Sequence, residues 1–284
     1  MKAKVTATAR YLPERVLTNF DLEKMVDTNN EWIRSRTGIE TRHLVSEGEA
    51  TSDMGTNIAM QLLEKTGKSP EDIDLILVAT STPDYLVCAT AALIQNNIGA
   101  KNAWGFDIAA ACSGFIYAME TGTKMVESGR YKNAIVIGAD TMSSIIDYTD
   151  RNTCVIFGDG GGGVLLEQSD DEIGILDSIL HTDGSGSQYL NVPAGGSAHP
   201  ASKDTIENRM HYVHQDGKTV FKFAVKNMAD VSKQILDQNN LTGDDLKLFI
   251  PHQANRRIID AAAKRCGLAE DKVLININKY GNTT

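Results

Sequence analysis

The chain has 284 residues, 42% hydrophobic and 23% charged, with a net charge of −9. That is enough apolar chain for a large core, as one big domain or two fused halves, and the negative charge argues against nucleic acid as a general partner while leaving room for a local basic face. No run approaches the roughly 20 apolar residues of a membrane helix, and the opening Met1–Arg10 lacks a signal-peptide apolar region, so the expected location is the cytoplasm. The four cysteines, Cys88, Cys112, Cys154 and Cys266, have no CxxC spacing, so neither a zinc site nor a disulfide framework is expected. Cys88, Cys154 and Cys266 read as small buried hydrophobes.

In chain order, a helical pattern over 52–66 leads to the buried-strand run Leu75–Thr80. A helix over 88–98 follows, then Phe106-Asp107-Ile108, a small-residue stretch to Cys112, and a helix over 113–128. Ala134–Ala139 and Gly163–Glu167 read as further strands. Between them lies Phe157-Gly158-Asp159-Gly160-Gly161-Gly162-Gly163, which looks at first like a phosphate loop. No Gly-Lys-Ser/Thr follows and a strand comes next, so close backbone packing is the better reading. Residues 181–218 are rich in Gly, Ser and His without clear periodicity, and His181, His199, His211 and His214 read as loop or surface residues. Beyond them come a helix over 220–239, a strand at Leu246–Ile250, a helix over 254–266 and a strand at Val273–Ile277. Short β-branched strands alternating with helices predict an α/β layered fold.

A faint repeat runs through this order. Asp72–Val78 leads through a loop and helix to Phe106-Asp107-Ile108 and Cys112, and Asp244–Ile250 leads likewise to Ile275-Asn276-Ile277 and Asn282. Thr80 to Cys112 and His252 to Asn282 are each separated by about 30 residues. A duplication would put Cys112 and Asn282 at equivalent strand ends facing each other, with His252 at the end of a neighbouring strand, where open α/β sheets carry their sites.

Cys112 at a strand-to-helix junction meets aligned backbone N–H groups that favour a thiolate nucleophile. His252 in Pro251-His252-Gln253-Ala254-Asn255 and Asn282 in Tyr280-Gly281-Asn282-Thr283-Thr284 would supply donors to a developing oxyanion. Each alone is ordinary, a core histidine or a turn asparagine; together they point to acyl transfer through a thioester. Trp32, Arg36 and Arg151 form a second group: an aromatic face and guanidinium groups suit a purine base and phosphates, and a solvated helix face is the bland alternative.

These residues carry a resemblance to the β-ketoacyl-acyl-carrier-protein synthase III family, initiating condensing enzymes of the thiolase superfamily. It runs from Tyr11-Leu12-Pro13-Glu14 to the last residue, through Asp27–Ile33, Arg36–Ile39, Ala109–Phe115, Phe157–Gly160, Pro251–Asn255 and Gly281–Thr283. The resemblance implies a duplicated thiolase-like fold in five α/β/α/β/α layers, with one half at 1–170 bearing the nucleophile and another at 171–284 bearing His and Asn. It implies a homodimer with no cofactor and no metal, in which acyl-CoA is a substrate and acylates Cys112. His252 and Asn282 would hold the thioester of malonyl-acyl-carrier-protein as carbon dioxide leaves. Trp32 and Arg151 would sandwich the coenzyme A adenine, Thr28 and Arg36 would lie near its phosphates, and Asn255 and the backbone near Gly217 would meet the pantetheine arm. Lys222, Lys226, Arg256, Arg257, Lys264 and Arg265 match the family's carrier-docking face.

The chain also departs from the family pattern. It stops at Thr284, whereas family members continue for a few tens of residues that complete the sheet and the oxyanion hole, so a longer full protein is expected. Val87-Cys88 stands where Phe-Pro is common in the acyl pocket, and the smaller Val87 predicts tolerance of primers longer than acetyl. Three rival functions remain: a condensing or acyltransfer enzyme of secondary metabolism, a non-catalytic acyl-binding partner subunit, and a nucleotide-binding protein built on the Gly run. The retained Cys112 argues against the second, and the missing helix after the glycines against the third.

Overall fold

The computed structural model describes residues 2–171 and 173–284. β1 (Lys2–Tyr11), β2 (Arg15–Thr18), α1 (Asn19–Leu22), α2 (Asn30–Thr37) and β3 (Thr41–Leu44) open the chain, followed by α3 (Thr51–Thr66), β4 (Leu75–Ala79), α4 (Thr90–Ile98), β5 (Trp104–Ile108), α5 (Gly114–Glu127), β6 (Asn133–Asp140) and β7 (Gly160–Ser169). A five-stranded sheet of order β1-β7-β6-β4-β5 forms, with β4 parallel to β5 and β6, and β7 antiparallel to β6 and β1. The β2–β3 pair stands apart as a small antiparallel ribbon.

Every residue of β4 is buried because helices cover both faces, and its side chains divide with a period of two. Ile76 and Val78 pack with Met54, Ile58 and Leu62 of α3 and Ile94 of α4, while Leu75, Leu77 and Ala79 pack with Ala118 and Val126 of α5. The glycine run belongs to β7. A Cβ on Gly163 would lie 2.7 Å from Ile58 and 2.9 Å from the Val136 carbonyl, and one on Gly161 would lie 2.8 Å from Ala139, so the run is where α3 and β6 press onto the strand.

The later part holds β8 (Leu190–Asn191), α6 (Lys203–Glu207), β9 (His214–Gln215), α7 (Gly217–Gln238), α8 (Arg256–Arg265) and α9 (Ile277–Tyr280). α7 and α8 match the helices expected at 220–239 and 254–266, whereas α6 and α9 were not expected and the strands expected at 246–250 and 273–277 reduce to one parallel bridge, Phe249 to Val273. Leu248 and Ile250 stay 46% and 68% exposed, so this pair buries no sheet face, and two strands alone are marginal. A third apolar cluster joins early and late chain, with Leu17, Leu22, Ile33, Ile39 and Leu44 packing against Phe157, Ile259 and Ile277.

Candidate active site

Cys112 follows β5 in a 3-10 turn, Ala111–Ser113, that runs straight into α5. Ala111 is held at φ +45°, a left-handed conformation costing a non-glycine residue about 1–3 kcal/mol, and such strain concentrates at functional sites. Gly114 lets α5 start hard against the sheet: a Cβ there would lie 3.1 Å from the Ala79 Cβ. The Thr80 N–H donates to the Ile108 carbonyl at 3.3 Å, so Cys112 sits at the C-terminal edge of the parallel strands.

Asp140 ends β6 at the same edge. Its Oδ1 accepts from the Ser81 N–H at 2.6 Å and from the Thr80 and Thr82 hydroxyls, each at 3.1 Å. Burial pushes this carboxyl up to about 6 against the pull of those hydrogen bonds. Burial also pushes the Cys112 thiol up to about 11, with the Asp140 charge acting in the same direction and a backbone N–H opposing it. This corrects the expectation of a thiolate favoured by the helix N-terminus: in the resting protein, loss of water and a nearby carboxylate outweigh the N–H groups.

His252 hangs on a loop stitched by Gln253, whose role the sequence reading missed although it stands beside the histidine. The Gln253 Nε2 donates to the Pro251 and Leu274 carbonyls at 2.9 and 3.1 Å, and its Oε1 accepts from the Asn276 and Ile277 N–H groups at 3.0 and 3.1 Å. The His252 Nε2 is buried without a hydrogen-bond partner among the described residues. Desolvation lowers the imidazole to about 4, so the ring is neutral near pH 7. An orphaned buried nitrogen costs about 1–3 kcal/mol, and its retention marks a place where a ligand atom belongs.

Asn282 is buried and bridged in parallel to Phe157, with its N–H on the Ile156 carbonyl at 3.0 Å and its carbonyl taking the Gly158 N–H at 3.1 Å. Its Oδ1 accepts from the Thr284 N–H at 2.9 Å, and its Nδ2 has no hydrogen-bond partner among the described residues. Phe157 leads into Gly160, which pairs with Asp140 at the end of β6. Cys112 and the Asn282 bridge therefore lie toward one end of the sheet, and the Gln253 splint ties the His252 loop to the start of α9, which leads into Asn282. No hydrogen bond joins the three to one another among the described residues.

The Arg151 guanidinium lies 4.6 Å from the Trp32 ring centroid and the Arg36 guanidinium 5.8 Å, and Arg151 also pairs with Asp27 at 3.6 Å. The structure thus assembles the Trp32, Arg36 and Arg151 group. The Thr28 Oγ1 is buried beside no partner among the described residues. Asn255 has its amide engaged inside the protein, capping α8 through the Arg257 N–H at 2.9 Å and donating to the Arg36 carbonyl at 3.0 Å. Gly217 opens α7 on open surface.

α7 and α8 pack together and carry the basic residues. Lys222, Lys226 and Lys264 are exposed, Arg256 and Arg265 pair with Asp260 and Asp230 at 2.7 and 3.3 Å, and Arg257 lies 4.8 Å over Phe221. Val87 is 98% exposed on a cleft of about 320 Å³ with Leu86, Cys88, Asp107 and Ala109. Cys88 is exposed rather than buried because its loop projects from the sheet edge, whereas Cys154 and Cys266 are buried as expected. Among the described residues no group of three or more His, Cys, Asp or Glu is placed to hold a metal, and no helix is long and apolar enough to cross a membrane.

Comparison with known proteins bears on this arrangement. Residues 106–184 match the family model for 3-oxoacyl-[acyl-carrier-protein] synthase III, and residues 236–284 match its C-terminal model. The β-ketoacyl-[acyl-carrier-protein] synthase III of Koribacter versatilis is 54% identical over all of this chain and 86% of its own length, and that of Chlorobaculum tepidum is 55% identical over all of this chain and 87% of its own. The crystal structure of the Aquifex aeolicus synthase III superposes with a TM-score of 0.90 at 42% identity, covering 99% of this chain and 86% of that one. With full-length identity above half and the thiolase-type fold in common, the chain belongs to the β-ketoacyl-[acyl-carrier-protein] synthase III family of condensing acyltransferases.

Proposed function

We propose that this chain joins a short acyl-CoA to malonyl-acyl-carrier-protein by decarboxylative Claisen condensation, initiating fatty-acid synthesis. The Cys112 sulfur attacks the acyl-CoA carbonyl, coenzyme A leaves as the thiol, and the acyl group rests on Cys112. Malonyl-acyl-carrier-protein then loses carbon dioxide, and the electron pair of the broken bond becomes an enolate. His252, neutral with its proton on Nε2, and the Asn282 Nδ2 donate to the enolate oxygen. The enolate carbon attacks the acyl carbonyl, Cys112 is expelled and takes a proton, and a β-ketoacyl carrier leaves. The observation that carries this reading is the pair of unpartnered donors, one on a buried neutral imidazole whose loop is tied to α9 and one on the Asn282 that follows α9. A neutral donor suits an oxyanion that exists only during reaction, because it carries no charge to desolvate in the resting enzyme. Every step is complete with side chains and substrates, without a metal or redox group.

The Trp32, Arg36 and Arg151 cluster is read as the adenine and phosphate subsite, with Thr28, Asn255 and Gly217 along the rest of coenzyme A. The basic helices α7 and α8 are read as the docking face for the acidic carrier. The site operates in the cytoplasm on this reading, which agrees with four free cysteines.

A homodimer through β5 is part of the same proposal. β5 is a free sheet edge carrying Trp104, 43% exposed and stacked on Phe106, and the exposed Leu86 and Val87 extend the apolar surface. The opposite edge, β1, is partly covered by the Ile175 N–H on the Ala3 carbonyl.

Intact-mass measurement with acetyl-, butyryl- and hexanoyl-CoA tests the core of the reading. A single acyl adduct that disappears in Cys112→Ala is the expected outcome, with butyryl and hexanoyl loading at rates comparable to acetyl because Val87 leaves room. An adduct that persists in the variant overturns the nucleophile, and a strong preference for acetyl overturns the pocket argument.

A further inference from the structure

Among the described residues Arg42 is the largest fully buried side chain, and no carboxylate pairs with it. A buried guanidinium without a counter-ion is costly, and burial lowers its value to about 10, still charged near pH 7. Its fork is spent on oxygens from separate segments. Nη1 donates to the Leu17 carbonyl at 3.3 Å and the Asn19 Oδ1 at 3.0 Å, and Nη2 donates to the Val155 carbonyl at 2.9 Å. Nε is left without a partner among the described residues.

Those anchors lead to Asn282. Val155 precedes Ile156 and Gly158, whose carbonyl and N–H hold the Asn282 backbone. The Arg42 stem lies between the glycines on either side of that bridge: an added Cβ would come within 2.8 Å of the Arg42 Cβ at Gly158 and 3.3 Å at Gly281. β3 and the residue before it line both segments. The Thr41 hydroxyl donates to the Lys279 carbonyl at 2.7 Å, the Glu40 N–H to the Asn278 carbonyl at 3.0 Å, and the Asp159 N–H to the His43 carbonyl at 2.8 Å.

We infer that Arg42 is a positioning residue for Asn282, its guanidinium pinning the 155–158 segment and its stem seating the 281–282 turn so that the asparagine amide meets the reacting thioester. The inference rests on the proposed role of Asn282 in decarboxylation. It predicts a split between half-reactions, since acylation of Cys112 does not use the Asn282 amide and decarboxylation does.

The test uses full-length wild type, R42M, R42K, G281A and N282A. Acylation of Cys112 by acetyl-CoA is followed by rapid-quench intact mass, and carbon dioxide release is followed from malonyl-acyl-carrier-protein. R42M keeps the stem and loses the fork; it is expected to acylate within about threefold of wild type and to release carbon dioxide about 10- to 100-fold more slowly, as for a misplaced catalytic group. R42K keeps a charge without the planar fork and is expected to fall between the two. G281A, strained at φ +67° and crowding the Ile156 carbonyl at 3.0 Å, loosens the same turn from the other side and should show the same split. Equal slowing of both half-reactions, or none, overturns the inference. If R42M fails to fold, the R42K result decides by the same criterion. Wild-type carbon dioxide release by N282A would instead remove the underlying assignment of Asn282, whatever the Arg42 variants do.

Discussion

Cys112 rests as a thiol, its ionisation pushed up to about 11 by burial and by the Asp140 charge. The pH profile of its alkylation by iodoacetamide should accordingly keep rising past the ordinary thiol range of about 8.5. Asp140→Asn removes the negative charge, so the thiolate is less opposed and the inflection moves to lower pH. A wild-type inflection at or below the ordinary range would sink this account. The sequence pointed to Cys112 as the candidate nucleophile through its junction between β5 and α5. Its protonation state was hidden, because it depends on water exclusion and on Asp140, which belongs to another strand. The same holds for His252: the residue is legible in Pro251-His252-Gln253, but its neutrality comes from burial, and the splint made by Gln253 only makes sense once 274–277 lies alongside.

At the scale of elements, the glycines of β7 are a packing device. Gly163→Ala puts a methyl group against Ile58 and the Val136 carbonyl, which as backbone has little freedom to move. A loss of about 1–3 kcal/mol is expected from the urea midpoint, typical of overpacking. Gly217→Ala meets nothing within 4 Å and should stay within about 0.5 kcal/mol of wild type. Similar effects at both positions would refute the packing reading. The sequence supported close packing here, since a strand follows the run where a phosphate loop needs a helix. It overstated the strands at 246–250 and 273–277, because a buried-strand pattern is written into side chains while a ladder also needs neighbours.

The whole molecule carries a net charge of −9 yet concentrates Lys222, Lys226 and Lys264 on packed helices. Lys222→Glu with Lys226→Glu should raise the KM for the malonyl carrier about tenfold at low salt and change acylation by acyl-CoA much less, since these lysines lie on the proposed carrier face while the coenzyme A phosphates are read against Arg36 and Arg151. The difference should shrink above 0.15 M salt, where the screening length is about 8 Å. An effect equal on both substrates would remove the docking face. If the proposed homodimer forms through β5, Trp104→Lys, which places a charge on that edge, should sediment as monomer where wild type sediments as dimer; an unchanged sedimentation coefficient would exclude this edge as the contact.

By itself the sequence determined the alternation of helices and strands in the first half, the candidate nucleophile with its two candidate donors, and the membership that the comparisons established. These are properties of local pattern: a period of two or of 3.6, a strand-to-helix junction, a short motif in order. Tertiary structure alone decided the resting thiol, the neutral imidazole, the exposure of Cys88 and the buried fork of Arg42 against the Asn282 turn. Each depends on which distant groups exclude water or lend a hydrogen bond, and that information exists only once separate segments meet in space.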